Sequence, residues 1–308
     1  MTYDIYYHND FDGRASAAVM LAFLRSRGDM IKNYIPVNFD IEKQWPRMKF
    51  PRPGIVVDFV YHPQATWYFD HHLTSFRLMK PNKVNTPNLF WDKQYPSCTS
   101  FVLDTLREKF DWKPPVHFKE LAQWLDITDA ARFKSAKQAV ELKEPALQLM
   151  SFVDWETRGG GKPTLQWLVE LMSRVRLKRV AADRRVKGTM KKIYAERDKA
   201  FAFYKNNIDI IGRVSFIDLS NIHLLDLRFT PYFLYPNLLY NVMLKKVRGD
   251  YKLSVGSNPW KRSKVKINVG LMLKRYGGGG HKAAGGLTVK PASRKDRIIR
   301  GIIAKLNK

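Results

Sequence analysis

The sequence predicts an α/β protein with two domains. The N-terminal domain is expected to have a mainly parallel sheet with flanking helices, and the C-terminal domain to be a smaller α/β unit. Three observations lead to this prediction. A chain of 308 residues can bury two modest cores. Short β-rich runs surround an alanine-rich helical run near the start, and a second strand-rich pattern begins after about residue 208.

The N-terminal domain is predicted over residues 1–190. Its strands are predicted from short runs rich in β-branched and aromatic residues, at Tyr3–Tyr7, Tyr34–Asn38, Ile55–Phe59 and Thr66–Phe69. The long apolar run Ala15–Leu24 predicts a buried helix between the first two strands. This order favours a mainly parallel sheet, in which ligands bind beyond the carboxyl ends of the strands.

Further along the chain, the hydroxyls of Ser97–Ser100 suit a helix start, and Glu120–Ala131 has roughly helical apolar spacing. The cation-rich stretch from Arg174 to Lys199 predicts a long helix, with residues 191–207 as the linker between domains. The C-terminal domain, residues 208–308, is predicted to contain strands at Val214–Leu219, Leu239–Lys245, Tyr251–Val255 and Leu287–Lys290, and helices at Val265–Tyr276 and Arg294–Leu306.

Composition narrows the class of protein. The hydrophobic content of 45% and the eight tryptophans indicate a folded globular chain. Cys98 is the only cysteine, so a reducing cytoplasm is the expected location. We expect neither a signal peptide nor a membrane span, because the sequence has no long uninterrupted apolar stretch. The formal charge of +26 favours nucleic acid or another polyanion as partner, although charge alone does not identify the ligand.

Candidate metal ligands fall at or just beyond the ends of the predicted strands. They are His8, Asp10 and Asp12 after the first strand, Asp58 at the end of the third, Asp70, His71 and His72 after the fourth, and Asp129 downstream. The first three alone could be a polar turn, and Asp58 alone an ordinary strand-end carboxylate. Their expected convergence on one edge of the sheet instead favours one or two divalent ions.

Together these motifs resemble the DHH phosphoesterase superfamily. The segment Gly277–Gly285 resembles the signature of the C-terminal domain that accompanies it in one branch. The resemblance covers nearly the whole chain, with the motifs in the right order. In that family a dinuclear site, usually holding Mn²⁺, hydrolyses phosphoester or phosphoanhydride bonds with an activated water. The resemblance therefore implies two divalent ions, Mn²⁺ first among them.

The resemblance also implies roles for individual residues. One ion is expected to be held by His8, Asp10 and Asp58, and the other by Asp12, Asp58, His71 and Asp129, so that Asp58 is the bridge. We expect Asp70 to orient a neighbouring imidazole, and His72 to face the substrate phosphate and the leaving group. Asp126 lies three residues before Asp129 on a similar helical face, so it is the alternative ligand, or else a carboxylate beside the site.

The glycine run predicts a second binding element. Gly278, Gly279, Gly280 and His281 are expected to bind a phosphate or nucleoside, because glycines allow close approach and offer backbone amides. The alternative is that the glycines only end the preceding helix near Tyr276, but a single glycine would be enough for that. The resemblance implies that this domain closes over the metal-binding edge, with the active site in the cleft between the domains. Arg262 is a weaker candidate for phosphate contact.

Two other features allow two interpretations each. The basic stretch from Arg174 to Lys192 is either a nucleic-acid track or a solvated helix face. Trp155, Trp167 and Trp260 either stack on bases or pack in the core.

The resulting hypothesis is a metal-dependent phosphodiesterase that hydrolyses short oligonucleotides, like a nanoRNase or oligoribonuclease. Alternatives with the same chemistry are a cyclic-dinucleotide phosphodiesterase and a phosphatase of 3′-phosphoadenosine 5′-phosphate. An alternative of another class is a catalytically inactive nucleic-acid-binding protein. A homodimer is expected only by analogy.

Overall fold

The computed structural model describes residues 1–81, 86–222, 224–225, 227–247 and 249–308. The chain divides into two compact units. Unit 1 comprises residues 1–132 and 142–191, and unit 2 comprises residues 133–141 and 192–308. The predicted linker, 191–207, lies within a single helix, Arg184–Asn207.

Among the described residues of unit 1, five strands form a fully parallel sheet in the order β2-β1-β3-β4-β5. The strands are β1 (Thr2–His8), β2 (Met30–Val37), β3 (Gly54–Val57), β4 (Ala65–Asp70) and β5 (Asn88–Trp91). The predicted mainly parallel sheet is therefore confirmed. Strand β5 was not predicted, because its four residues, Asn88–Trp91, are too few to show an alternating pattern and none of them is fully buried.

The first eight helices in chain order are α1 (Phe11–Ser26), α2 (Cys98–Phe110), α3 (His117–Asp129), α4 (Ala136–Glu141), α5 (Pro145–Thr157), α6 (Gln166–Met172), α7 (Leu177–Ala181) and α8 (Arg184–Asn207). Helices α1 and α2 contact this sheet directly, whereas α4 and most of α8 belong to unit 2. Helix α1 is buried along most of its length and contacts β1, α2 and α6. The single helix predicted from Arg174 to Lys199 was wrong, since α7 ends at Ala181. Asp183 then accepts a hydrogen bond from the backbone N–H of Arg185, near the start of α8.

One face of the sheet is packed with aromatic side chains. The ring of Tyr6 meets that of Trp45 edge-on, and Tyr68 belongs to the same buried cluster. Trp45 is fully buried and donates its indole N–H to the carbonyl of Val60 at 3.0 Å. Burying a large apolar side chain contributes about 1.5–3 kcal/mol. This packing fixes the segments that leave the strand ends, where the candidate ligands lie.

In the part of unit 2 that the structure describes, six strands form a mixed sheet in the order β10-β11-β9-β8-β7-β6. Its elements are β6 (Asp209–Ile211), β7 (Val214–Leu219), α9 (Thr230–Leu234), β8 (Tyr240–Val247), β9 (Asp250–Ser257), α10 (Val269–Lys274), β10 (Gly279–Gly280), β11 (Ala284–Thr288) and α11 (Lys295–Leu306). Helix α11 buries Ile299, Ile302 and Ile303, the face predicted from the 3.6-residue period. The predicted second α/β domain is therefore confirmed.

Across the described residues, no helix combines the length and the apolar character that a membrane crossing requires.

Candidate metal centre

Among the residues that the structure describes, three overlapping groups of carboxylates and imidazoles could each hold a metal ion. Within a group, one ligand atom from each member lies within 4.8 Å of the others. The groups are His8, Asp10 and Asp58; Asp12, His71 and Asp129; and Asp58, Asp70, His71 and His72. Strands β1, β3 and β4 are neighbours in a parallel sheet, so the residues that follow their carboxyl ends converge.

Asp58 belongs to two of these groups and also lies close to His71, a member of the third. Its Oδ2 is 3.7 Å from Nδ1 of His8, and its Oδ1 is 3.6 Å from Nε2 of His71. The residue is buried and has a φ of +57°, in the left-handed region that costs a non-glycine residue about 1–2 kcal/mol. Burial, reinforced by the charges of Asp12 and Asp10, raises the pKa of the Asp58 carboxyl well above its usual value. The fold thus holds a carboxylate where its negative charge is unfavourable unless a positive charge lies nearby.

The start of α2 fixes the orientation of Asp12. Its Oδ2 accepts a hydrogen bond from the N–H of Cys98 at 2.7 Å, and its Oδ1 accepts from the N–H and hydroxyl of Thr99 at 3.0 and 2.6 Å. Amides in the first turn of a helix favour a carboxylate, so they hold this side chain in place. The sequence predicted hydroxyl capping at this helix start, and Ser97 does accept from the N–H of Ser100. The contact with Asp12 was missed.

The imidazole of His71 has one tautomer that fits its surroundings. Its Nδ1 lies 3.0 Å from the carbonyl oxygen of Tyr95, which can only accept a hydrogen bond, so Nδ1 must carry the proton. Nε2 then presents its lone pair. It lies 3.8, 3.6 and 3.6 Å from carboxylate oxygens of Asp12, Asp58 and Asp129. A backbone carbonyl behind a histidine is the usual device for orienting a metal-binding nitrogen.

Asp70 accepts several hydrogen bonds and orients His72. Its Oδ1 accepts from the backbone N–H of His71 and from Nδ1 of His72, both at 2.8 Å. Its Oδ2 accepts from the hydroxyl of Tyr68 at 3.1 Å and from that of Ser75. With Nδ1 of His72 engaged, Nε2 is left for a ligand, and the side chain is 44% exposed.

Two buried polar atoms at this site favour a bound cation. Oδ1 of Asp58 and Nε2 of His71 are both buried, and neither has a hydrogen-bond partner among the described residues. Each such group costs about 1–3 kcal/mol. A divalent ion would accept both lone pairs. Carboxylate and imidazole donors suit Mn²⁺, Fe²⁺, Co²⁺ or Zn²⁺.

The two aspartates that the sequence could not separate have different surroundings. Oδ1 of Asp126 accepts from the hydroxyls of Ser97 and Ser100, both at 2.7 Å, which ties α3 to the start of α2. Asp126 belongs to none of the ligand groups among the described residues. Asp129, at the end of α3, has Oδ2 at 3.6 Å from Nε2 of His71.

Asp129→Asn is therefore expected to lower the content of bound divalent metal and to lower kcat by at least about a hundredfold. Asparagine at position 126 keeps the oxygen that accepts from Ser97 and Ser100, so its turnover is expected to stay within about twofold of wild type. Metal analysis of the dialysed proteins, beside turnover in Mn²⁺, checks both variants. Loss of metal in Asp126→Asn alone would reverse the assignment.

Two further residues at the site were missed by sequence reasoning. Arg14 of α1 is fully buried, and its Nη2 donates to Oδ1 of Asn9 at 2.8 Å and to the carbonyl of Pro163 at 2.7 Å. Nδ2 of Asn9 donates to the carbonyl of Gly161 at 2.9 Å. The loop from Arg158 to Pro163 is thereby held against the segment that carries His8, Asp10 and Asp12. The sequence did offer a signal for this contact, since a charged residue such as Arg14 within a buried helix needs hydrogen-bond partners.

The glycine run lies in unit 2, in the hairpin of β10 and β11. A Cβ on Gly278 would lie 2.5 Å from the carbonyl oxygen of Gly286, and one on Gly280 would lie 2.4 Å from that of Ala284. Close backbone packing therefore accounts for glycine at both positions. A Cβ on Gly279 would have no described atom within 4 Å, and the same holds for Gly277, so space is left beside these two glycines.

The other two predicted residues of unit 2, His281 and Arg262, are exposed. The carbonyl of His281 accepts from the N–H of Gly270, at the start of α10.

The tryptophans singled out from the sequence have partners within the protein. The guanidinium of Arg158 lies 3.4 Å from the ring centroid of Trp155, and that of Arg185 lies 3.5 Å from that of Trp167. Trp260 donates its indole N–H to the carbonyl of Phe133 at 2.8 Å. The cations between Arg174 and Lys192 are exposed, which suits both interpretations of that stretch.

Comparison with known proteins gives a fold rather than a sequence match. No protein-family model matches the chain, and no curated protein matches its sequence. Among solved structures, a pGpG-specific phosphodiesterase, PggH from Vibrio cholerae, has a TM-score of 0.75 at 20% identity, and the match covers 99% of each chain.

Two other solved structures are similar over 99% of this chain, both at 14% identity. RecJ from Thermus thermophilus in complex with Mn²⁺ has a TM-score of 0.58, with 52% of that chain covered. An exopolyphosphatase-related protein from Bacteroides fragilis has a TM-score of 0.53, with 92% of that chain covered. At these identities the likeness is one of fold. The chain shares the fold of these solved structures.

Proposed function

We propose that this protein is a metal-dependent phosphodiesterase that hydrolyses short oligonucleotides, with two divalent ions sharing Asp58. The observation that carries the proposal is the position of the two oxygens of that carboxylate. Oδ2 faces His8, and Oδ1 faces His71. Two ions a few ångströms apart require a shared carboxylate, with one oxygen facing each group of ligands.

In this proposal His8, Asp10 and Asp58 hold one ion, and Asp12, Asp58, His71 and Asp129 hold the other. When bound, the ions supply positive charge for the phosphate oxygens and lower the pKa of a water molecule. The protein contributes orientation: α2 fixes Asp12, and the Tyr95 carbonyl fixes His71. His72, held by Asp70 through Nδ1, would in its imidazolium form donate a hydrogen bond from Nε2 to the phosphate or to the departing oxygen.

Mn²⁺ is the proposed metal. Carboxylate and imidazole ligands suit it, and RecJ from Thermus thermophilus, which shares the fold, has been solved with Mn²⁺ and with Mg²⁺. The protein's ligand set alone does not select between these ions.

A short linear substrate is supported by the similarity to PggH, which is named for a two-nucleotide substrate and matches along both full chains. The formal charge of +26 supports a polyanionic substrate. The alternatives are a cyclic dinucleotide and 3′-phosphoadenosine 5′-phosphate, and the similarity to the exonuclease RecJ adds a longer strand to the substrates to be compared.

A turnover panel in Mn²⁺ tests the proposal, using a linear dinucleotide, longer RNA, longer single-stranded DNA, a cyclic dinucleotide and 3′-phosphoadenosine 5′-phosphate. We expect kcat/KM for the dinucleotide to exceed that for each other substrate by about tenfold or more, and EDTA to abolish turnover. Activity that rises with strand length would instead favour an exonuclease of long strands. Salt-dependent binding without turnover in any divalent ion would favour a non-catalytic nucleic-acid-binding protein.

A further inference from the structure

One tryptophan stands apart from the others. Of the eight, all of which the structure describes, seven are buried or half-buried, whereas the side chain of Trp91 is exposed, at 38%. Tryptophan is mostly buried in folded proteins because its ring is large and apolar. An exposed ring beside a candidate site therefore requires an explanation.

Trp91 is held in place next to the candidate metal centre. It is the last residue of β5 and pairs in register with Asp70 of β4. Its indole N–H donates to the carbonyl of His72 at 2.8 Å, and its ring meets that of Phe76 edge-on, with centroids 5.6 Å apart. These contacts fix the ring while leaving part of its surface open.

The distance between Trp91 and Asp58 suits the length of one nucleotide. Strand β5 lies two positions from β3, the strand that leads into Asp58, and two strand spacings amount to about 10 Å. A nucleotide whose phosphate lies at Asp58 can reach across such a span with its base. Leu73 directly follows His72, whose carbonyl accepts from Trp91, and it is 73% exposed.

Phe39 is the other phenylalanine or tryptophan among the exposed large hydrophobic residues described. Its ring is already contacted: the guanidinium of Arg77 lies 5.0 Å from its centroid, and the rings of His8 and Phe59 lie at 5.2 and 5.4 Å. Trp91 has a single ring partner among the described residues. It is therefore the more available stacking surface at this end of the sheet.

We infer that Trp91, with Leu73 beside it, forms a shelf on which a nucleobase of the substrate stacks next to the hydrolysed phosphate. The inference rests on the phosphodiesterase proposal for the position of that phosphate. Stacking accepts any base, because every base has a flat π-face, so the shelf recognises nucleotides without selecting a sequence.

Two variants separate stacking from the hydrogen bond to His72. Trp91→Phe keeps an aromatic ring but removes the indole N–H, and Trp91→Leu removes both. Each is compared on a dinucleotide and on the same dinucleotide with one base replaced by hydrogen. We expect Trp91→Leu to raise KM for the intact dinucleotide about tenfold, with kcat within about twofold, and Trp91→Phe to keep most of the affinity. The abasic substrate should be insensitive to both changes.

A merely structural role would give a different pattern. Equal losses in both variants, on intact and abasic substrates alike, would overturn the shelf, because both variants lose the same N–H.

Calorimetric binding of guanosine 5′-monophosphate and of ribose 5-phosphate makes the test independent of turnover. We expect the wild type to bind the nucleotide more tightly and Trp91→Leu to lose the difference. If that holds while no substrate is hydrolysed, the shelf stands and the hydrolase proposal fails. Equal affinity of the wild type for both ligands would overturn the shelf, even in an active enzyme.

Discussion

Asparagine in place of Asp58 is expected to lower kcat by at least about a thousandfold and, in the same molecule, to stabilise the ion-free protein. The loss follows because a neutral amide cannot bridge two cations. The gain follows because Oδ1 of the buried carboxylate has no hydrogen-bond partner in the part of the chain that the structure describes, and because the carboxylate lies near other acids. Asparagine also tolerates the left-handed backbone, with φ of +57°, better than most residues do.

Thermal unfolding with and without Mn²⁺ measures both effects. In the wild type, an ion at a hundred times its Kd adds about 2.7 kcal/mol to the free energy of unfolding, and this increment should shrink sharply in Asp58→Asn. The ion-free variant should melt above the ion-free wild type. Binding to long nucleic acid at low salt should persist, since it depends on exposed cations.

Asp4 provides a matched control at the other end of β1. It is also fully buried, but its oxygens accept hydrogen bonds from Asn33 at 2.9 Å and Arg52 at 3.3 Å. Asp4→Asn should therefore destabilise the protein while leaving its Mn²⁺ response and turnover unchanged. Normal turnover in Asp58→Asn would refute the shared-ligand assignment.

Methionine in place of Arg14 is expected to have the largest effect on stability, a loss of about 3 kcal/mol or more in the free energy of unfolding. The substitution leaves the buried Oδ1 of Asn9 and the partly buried carbonyl of Pro163 without the donor that Arg14 supplies. Because the same contacts hold the loop next to His8 and Asp10, turnover should fall as well.

Denaturant unfolding checks the first effect. Arg27→Met is the control: Arg27 caps the other end of α1 and is exposed, so its loss should change stability by less than about 0.5 kcal/mol. A loss below about 1 kcal/mol in Arg14→Met would mean that Arg14 does not hold this loop in solution.

Much of the fold was predictable because its signals are local. The β-rich runs, the apolar helix α1 and the period of α11 each lie within a short window of sequence. The convergence of His8, Asp58 and His71 also followed from the sequence, because carboxyl ends of parallel strands share one edge.

What escaped prediction depends on contacts between distant residues. Nothing local to Asp126 and Asp129 reveals that only the first faces the hydroxyls of α2. The partners Arg14 and Pro163 are 149 positions apart. Trp91 was overlooked because its exposure results from its place on an edge strand, which the sequence did not predict.

The segment 133–141 has an evolutionary consequence. It begins soon after Asp129, yet it packs with unit 2, where the ring of Phe133 meets that of Phe229 at 5.4 Å and the carbonyl of Glu141 accepts from Arg197. Neither half is therefore a continuous stretch of the gene. A single recombination breakpoint therefore could not exchange one unit for a foreign one without separating residues 133–141 from the unit with which they pack.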